Sequence, residues 1–174
     1  EKPFTTDKKN AQKIARKAHR KELIVMCAQH QRFRPESLLL KSRIDSGELG
    51  EIYHVNVEAM ASRGVPIQVA NSFTDKRFSG GGPLIDQGAH GIDIAWWFMG
   101  CPAPVSAFAV AYDGVAPKTG TTKSGSAWDV YNVEDFATGI IRFKNNKSIT
   151  IRTSYFSNCA EDNFSCEVLG TRGG

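Results

Sequence analysis

The sequence has no CxxC pair: Cys27, Cys101, Cys159 and Cys166 are scattered through its 174 residues. That spacing excludes a zinc ribbon and a disulfide-stapled scaffold, and it fits a reducing compartment. No run approaches the roughly 18 apolar residues of a membrane span and no signal peptide opens the chain, so the expectation is a cytoplasmic protein without a membrane partner. Aromatic residues are missing from the one concentration of positive charge. Lys8, Lys9, Lys13, Arg16, Lys17, Arg20 and Lys21 supply most of the formal charge of +4, around a narrow stripe of Ala11, Ile14, Ala15 and Ala18. With no aromatics interleaved, they read as a solvated helix face, and no nucleic-acid partner is expected. What is present is ordinary for a folded domain: 41% hydrophobic residues, enough for a real core.

In chain order, Thr5, Thr6 and Asp7 are N-cap candidates for a helix ending near Lys21. The apolar run Leu23 to Ala28 suits a buried parallel strand, so the opening reads as one αβ unit. Pro35 starts a helix that runs to Gly47, a C′ residue, with Leu49 as its hydrophobic contact. A strand follows from Ile52 to Ala61, with Tyr53, Val55, Val57, Ala59 and Ala61 on one face. Residues 62 to 79 have no sustained period and the composition of a functional loop. Val105 to Tyr112 is a strand, and residues 113 to 129, rich in Gly, Ser, Thr and Lys, form a long loop. Glu134 to Phe143 and Ser148 to Ser157 flank a turn at Lys144-Asn145-Asn146-Lys147, and Asn163 to Leu169 adds a last strand. The fold class is therefore α+β: a mainly antiparallel open sheet with helices on one face. Its other face is a natural place for a partner subunit.

The stretch Gly80 to Gly100, GGGPLIDQGAHGIDIAWWFMG, organises the rest. Pro83 opens a helix to Phe98 and Gly100 stops it. At about 100° per residue, Asp86, His90, Asp93 and Trp97 share one side, opposite Leu84, Ile85, Ala89, Ile92, Ala95, Trp96 and Met99. Gly88 and Gly91 inside a helix imply that another backbone or a ligand comes close. An Asp and a His at this spacing serve as an acid/base pair or as a structural hydrogen-bond pair; both readings stand on the residues alone. A metal is not expected, because His19, His30 and His54 sit on other elements and no third ligand is evident.

Glu1-Lys2-Pro3, Arg32-Phe33 before a Pro-led helix, SGELGEI at 46 to 52, GGGPLIDQGAHGIDIAWWFMG and the closing GTRGG together resemble the Gfo/Idh/MocA family of NAD(P)-dependent oxidoreductases. The resemblance spans nearly the whole chain. It implies a dihydrodipicolinate-reductase-like C-terminal fold preceded by a Rossmann domain, although no GxGxxG follows a strand near the start. Residues 1 to 29 would then be the last αβ unit of the dinucleotide-binding domain, and 30 to 174 most of the substrate-binding and oligomerisation domain, ending before its final strands. It also implies NAD or NADP as cofactor, a sugar, inositol or related polyol as substrate, and a homodimer or homotetramer. Lys2, Asp86 and His90 would be catalytic. Glu1, Lys2, Pro3, His30 and Arg32 would line the cofactor, and Lys2, Arg63, Asp86 and His90 the substrate. A cis bond before Pro3 is compatible with this placement. Where the family commonly has Asn before the Arg-Phe pair, this chain has His30 and Gln31. The runner-up is a non-catalytic ligand-binding or oligomerisation module on the same scaffold.

Overall fold

The computed structural model describes residues 2–64, 72–116 and 131–174. Glu1, much of the loop predicted over 62 to 79 and most of the one over 113 to 129 lie outside the described residues. Helix α1 (Lys8–Arg20) begins where the Asp7 carboxylate accepts the Asn10 amide at 2.8 Å, the side-chain cap that its N-terminus needs. The run after it is unpaired among the described residues. Leu23 to Ala28 forms no strand, and Ile24 is 97% exposed. A strand exists only through a neighbour's hydrogen bonds, and the described sheet offers this run no neighbour. The opening therefore contributes its helix, and the run after it has no strand to pair with among the described residues.

A 3-10 turn, His30–Phe33, leads into α2 (Pro35–Asp45). The helix ends in a Schellman motif, with the Gly47 amide on the Ile44 carbonyl at 2.9 Å and the Glu48 amide on that of Arg43 at 3.1 Å. Leu49 follows into the core. Strand β1 (Ile52–Met60) comes next, then one turn of helix, α3 (Lys76–Ser79), inside the predicted loop. Helix α4 (Pro83–Phe98) has the predicted bounds. The remaining strands are β2 (Pro104–Tyr112), β3 (Phe136–Phe143), β4 (Ser148–Ser154) and β5 (Asn163–Gly170).

The strands form one open sheet in the order β2-β3-β4-β1-β5. It is antiparallel at every pairing except β1 with β4, which is parallel. That register places Val55 beside Ile149, Val57 beside Ile151 and Ala59 beside Thr153, all turned toward α4. Val55, Val57 and Ile149 are fully buried, each contributing roughly 1.5–3 kcal/mol. The two helix glycines have their reason here. A Cβ on Gly91 would stand 2.3 Å from Val57 Cγ1, and one on Gly88 would meet Ile151 and Thr153 at 3.3 Å. The close neighbour is the sheet. Consequently the deepest stripe of α4 is Gly88, Gly91, Ile94, Ala95 and Phe98, rotated from the predicted apolar arc so that Ala89, Ile92 and Trp96 flank it.

Among the described residues, helix α4 covers one face of the sheet. On the other, the centre is a polar ladder: Thr150 donates to Asn56 at 2.8 Å, Arg152 to Glu58 at 2.8 Å, and His54 Nδ1 meets the Ser148 hydroxyl at 2.8 Å. Toward the β2 edge it turns apolar, with Phe108, Val110, Tyr112 and Ile140 exposed. Among the described residues, no helix is long and apolar enough to cross a membrane.

Candidate active site

The start of α4 is fixed from outside the helix. Glu134 receives the Gly82 amide at 2.8 Å and the Leu84 amide at 3.3 Å, and Gly82 lies so near that a Cβ there would be 2.3 Å from the Glu134 carbonyl oxygen. The cap satisfies amides that the helix itself leaves unpaired and places a negative charge at its positive end. It also sets the rotation that points Asp86, in the first turn, away from the sheet centre.

Lys2 reaches Asp86 from 84 residues away. Its Nζ donates to the Asp86 main-chain oxygen at 2.6 Å and makes a short ion pair with Oδ1, the two side chains being 10% and 16% exposed. The Lys2–Pro3 peptide is cis. The other carboxylate oxygen, Oδ2, accepts the Tyr155 hydroxyl at 2.8 Å. Tyr155 is fully buried. Burial first, and then the charge of Asp86, hold its phenol well above the usual range, so it stays a donor.

One turn beyond Asp86, His90 is buried, and the ring of His30 meets it edge-on with centroids 4.6 Å apart. The next residue of the stripe, Asp93, takes both Nε and an Nη of Arg32 at 2.6 Å. The Asp93 hydrogen bond raises the Arg32 pKa above its ordinary value, and the guanidinium also lies 5.9 Å from the Trp97 ring centroid. The 3-10 turn is thereby clamped onto α4 at two points. Beside Lys2 and Asp86 opens a cleft of about 250 Å³. Its walls mix the rings of Pro3, Phe73 and Phe78 with the hydroxyls of Thr5, Thr6 and Ser79, as a ligand with apolar edges and several hydroxyls would require.

Of the residues singled out from the sequence, Lys2, Pro3, Asp86, His90, His30 and Arg32 are gathered along one side of α4. Arg63 is not among them. Its guanidinium donates to the carbonyls of Ser62 at 2.5 Å and Ser157 at 3.0 Å and lies over the Phe156 ring, and it does not line the cleft. Glu1 lies outside the described residues. Tyr155 and Glu134 were not singled out. Tyr155 had a signal: with Ile149, Ile151 and Thr153 it shares the parity of the strand face that meets α4. Glu134 had none, since an acidic residue before a strand says nothing about a helix 50 positions earlier.

A family model described as the GFO/IDH/MocA C-terminal domain matches residues 38–174. The chain is 32% identical over 163 residues to D-glucoside 3-dehydrogenase of Escherichia coli (strain K12), covering 92% of this chain and 46% of that protein. Among solved structures, GenD2 from gentamicin A biosynthesis in complex with NAD superposes with a TM-score of 0.79 at 22% identity, over 99% of this chain and 44% of that one. The WlbA dehydrogenase from Bordetella pertussis, in complex with NADH and UDP-GlcNAcA, gives 0.75 at 19% identity, over 97% and 48%. The fold is shared with both. The chain spans about half the length of the relatives it matches.

Proposed function

Since the chain belongs to the GFO/IDH/MocA family, we propose that it is the substrate domain of an NAD(P)-dependent oxidoreductase moving a hydride between the cofactor and a hydroxyl carbon of a sugar, inositol or related polyol. The observation that carries this reading is the meeting of Lys2 with Asp86, one turn from His90, beside a cleft walled by rings and hydroxyls. Similarity to D-glucoside 3-dehydrogenase supports a sugar-like substrate.

In the oxidative direction, His90 takes the hydroxyl proton as hydride leaves the same carbon, a role that imidazole commonly fills as a general base. The Lys2 ammonium, held by Asp86, stabilises the alkoxide that develops. Asp86 orients Lys2 through Oδ1 and, lining the cleft with acceptor capacity to spare, can also hold a substrate hydroxyl. The nicotinamide of NAD or NADP, when bound, supplies the hydride acceptor. Lys2, Pro3 and His30 fit its edge. A pyrophosphate does not fit: among the described residues, the glycine-rich helix start, Gly80–Gly82, already holds the Glu134 carboxylate, which would repel it. We therefore assign phosphate binding to a separate dinucleotide-binding half, and give Arg32 the task of holding the His30 turn on α4 through Asp93. The exposed Phe108, Val110, Tyr112 and Ile140 support a homodimer or homotetramer through the open sheet face, and the scattered cysteines support a cytoplasmic setting.

The test joins the chain to its dinucleotide-binding half and measures turnover and melting temperature of His90→Ala. Turnover should fall by about 10²- to 10⁴-fold with only a modest change in KM and in melting temperature. A large drop in melting temperature with near-normal activity of the folded fraction would leave His90 a structural histidine.

A further inference from the structure

We propose that Tyr155 is a positioning residue for the Lys2–Asp86 pair: its hydroxyl pins Oδ2 of Asp86, which leaves Oδ1 and the Asp86 carbonyl oriented to hold the Lys2 ammonium at the cleft. The inference rests on the functional reading above, but on different residues and distances.

Asp86 and Lys2 alone would make a poorly defined pair. Lys2 is a long side chain with four rotatable bonds, and fixing such a chain costs rotamer entropy that a partly exposed ion pair returns only in small part. The carboxylate, in the first turn of α4, has its own rotamers to choose from. A second donor on the opposite oxygen removes that choice. Tyr155 is suited to this because it cannot move: it is fully buried, packs with Phe156 and Ala116, donates its amide to the Asp135 carbonyl at 2.9 Å and accepts the Gly64 amide on its own carbonyl at 2.8 Å. Its ring has only two torsions, so little remains to be ordered.

The phenol also offers one kind of hydrogen bond. Burial, Asp86, Tyr131 and Glu134 all oppose its ionisation, so facing a carboxylate it donates and does not compete with Lys2 for the negative charge. The charged or titratable groups around Asp86 are thus Lys2 and Tyr155 in contact, His90 one turn on, and Glu134 at the helix start. Tyr155 does not line the cleft that Lys2 and Asp86 line. Its hydroxyl is engaged by Asp86 Oδ2, so its action on the reaction runs through Asp86, which is what separates positioning from catalysis.

A double-mutant cycle in the protein carrying both halves tests this, reading kcat, KM and melting temperature for Tyr155→Phe, Asp86→Asn and the pair. Tyr155→Phe keeps the buried ring and removes the donor. It should lower kcat about 10- to 100-fold and move KM by less than about threefold, and the double variant should be no slower than Asp86→Asn alone. If Tyr155→Phe lowers the melting temperature while kcat stays at the wild-type value, or if its effect multiplies in full with that of Asp86→Asn, the inference is overturned. Should Tyr155→Phe not fold, 3-fluorotyrosine at 155, a near-isosteric and more acidic phenol, should change kcat by a few-fold at unchanged melting temperature, and an unchanged kcat counts against it. Failure of the functional reading looks different: Asp86→Asn itself would then leave turnover intact, and the inference would fall with it.

Discussion

At the scale of single residues, three partners converge on one helical turn from three parts of the chain: Lys2 from its start, His30 from a 3-10 turn, and Tyr155 from the end of β4. Only the helix's own contribution was legible directly. Asp86, His90 and Asp93 announce themselves by helical spacing, because a period belongs to the local chain. Lys2 is indistinguishable by composition from any terminal lysine, and resemblance alone raised it. Tyr155 could have been found by strand parity, but nothing in its neighbours says that a carboxylate waits opposite. The resemblance placed Arg63 near the substrate; the structure places its guanidinium on main-chain carbonyls instead. Lys2 yields a prediction of its own. Lys2→Met, joined to the dinucleotide-binding half, should lower kcat by about 10²- to 10³-fold, with the melting temperature lowered by no more than a few degrees, because methionine keeps a long, unbranched side chain in the place of the lysine stem. Steady-state kinetics with a thermal melt decide it; unimpaired turnover would remove Lys2 from the site.

At the scale of elements, α4 is the axis on which site and core meet. Its bounds were readable because Pro83 starts it and Gly100 stops it, and both signals are local. Its rotation was harder to read. Glycine carries no hydrophobic mark, so the stripe through Gly88 and Gly91 looks weak in the sequence although it presses closest to the sheet. Leu23 to Ala28 shows the opposite limit: hydrophobicity marks a candidate strand, but pairing makes one, and the described sheet supplies no neighbour. The parallel β1 and β4 pair was also beyond local reading, since adjacency in a sheet is a long-range property. The tight approach at Gly91 predicts that Gly91→Ala destabilises the fold by about 1–3 kcal/mol, as overpacking does, despite alanine's better helix propensity. Val57→Ala, which removes the Cγ1 atom 2.3 Å from the new Cβ position, should return part of that loss in the double variant. Urea melts of the single and double variants measure this; additivity of the two losses would mean that the helix sits farther from β1 than described.

At the scale of the whole molecule, the chain presents two unfinished surfaces with different chemistry. One is the cleft side of α4, where Lys2, Asp86 and the Phe78 ring line a space of mixed apolar and hydroxyl walls. The other is the bare sheet face, apolar toward β2 and hydrogen-bonded at its centre. The open α+β sheet was legible because alternation repeats strand after strand, whereas what covers its bare face is written in no single strand. Two expectations belong here. By light scattering the protein should be a dimer or larger, burying more than roughly 1,200 Å², and Phe108→Glu should shift it toward monomer; a monomer at high concentration contradicts the open-face assembly. By calorimetry the 174 residues alone should show no micromolar affinity for NAD or NADP, because the glycine-rich helix start among the described residues is occupied by Glu134; tight binding would contradict the need for a second half. The central claim, that hydride passes at the cleft beside Lys2, Asp86 and His90, is tested most directly by isotope transfer. The protein joining both halves is given NAD or NADP and sugars or cyclitols carrying deuterium at one ring carbon, and the reduced nicotinamide is examined by mass spectrometry. The account predicts deuterium on the nicotinamide with one labelled position of at least one such polyol, and loss of that transfer in His90→Ala; a folded protein that transfers none from any labelled position, or a His90→Ala variant that transfers at the full rate, would contradict it.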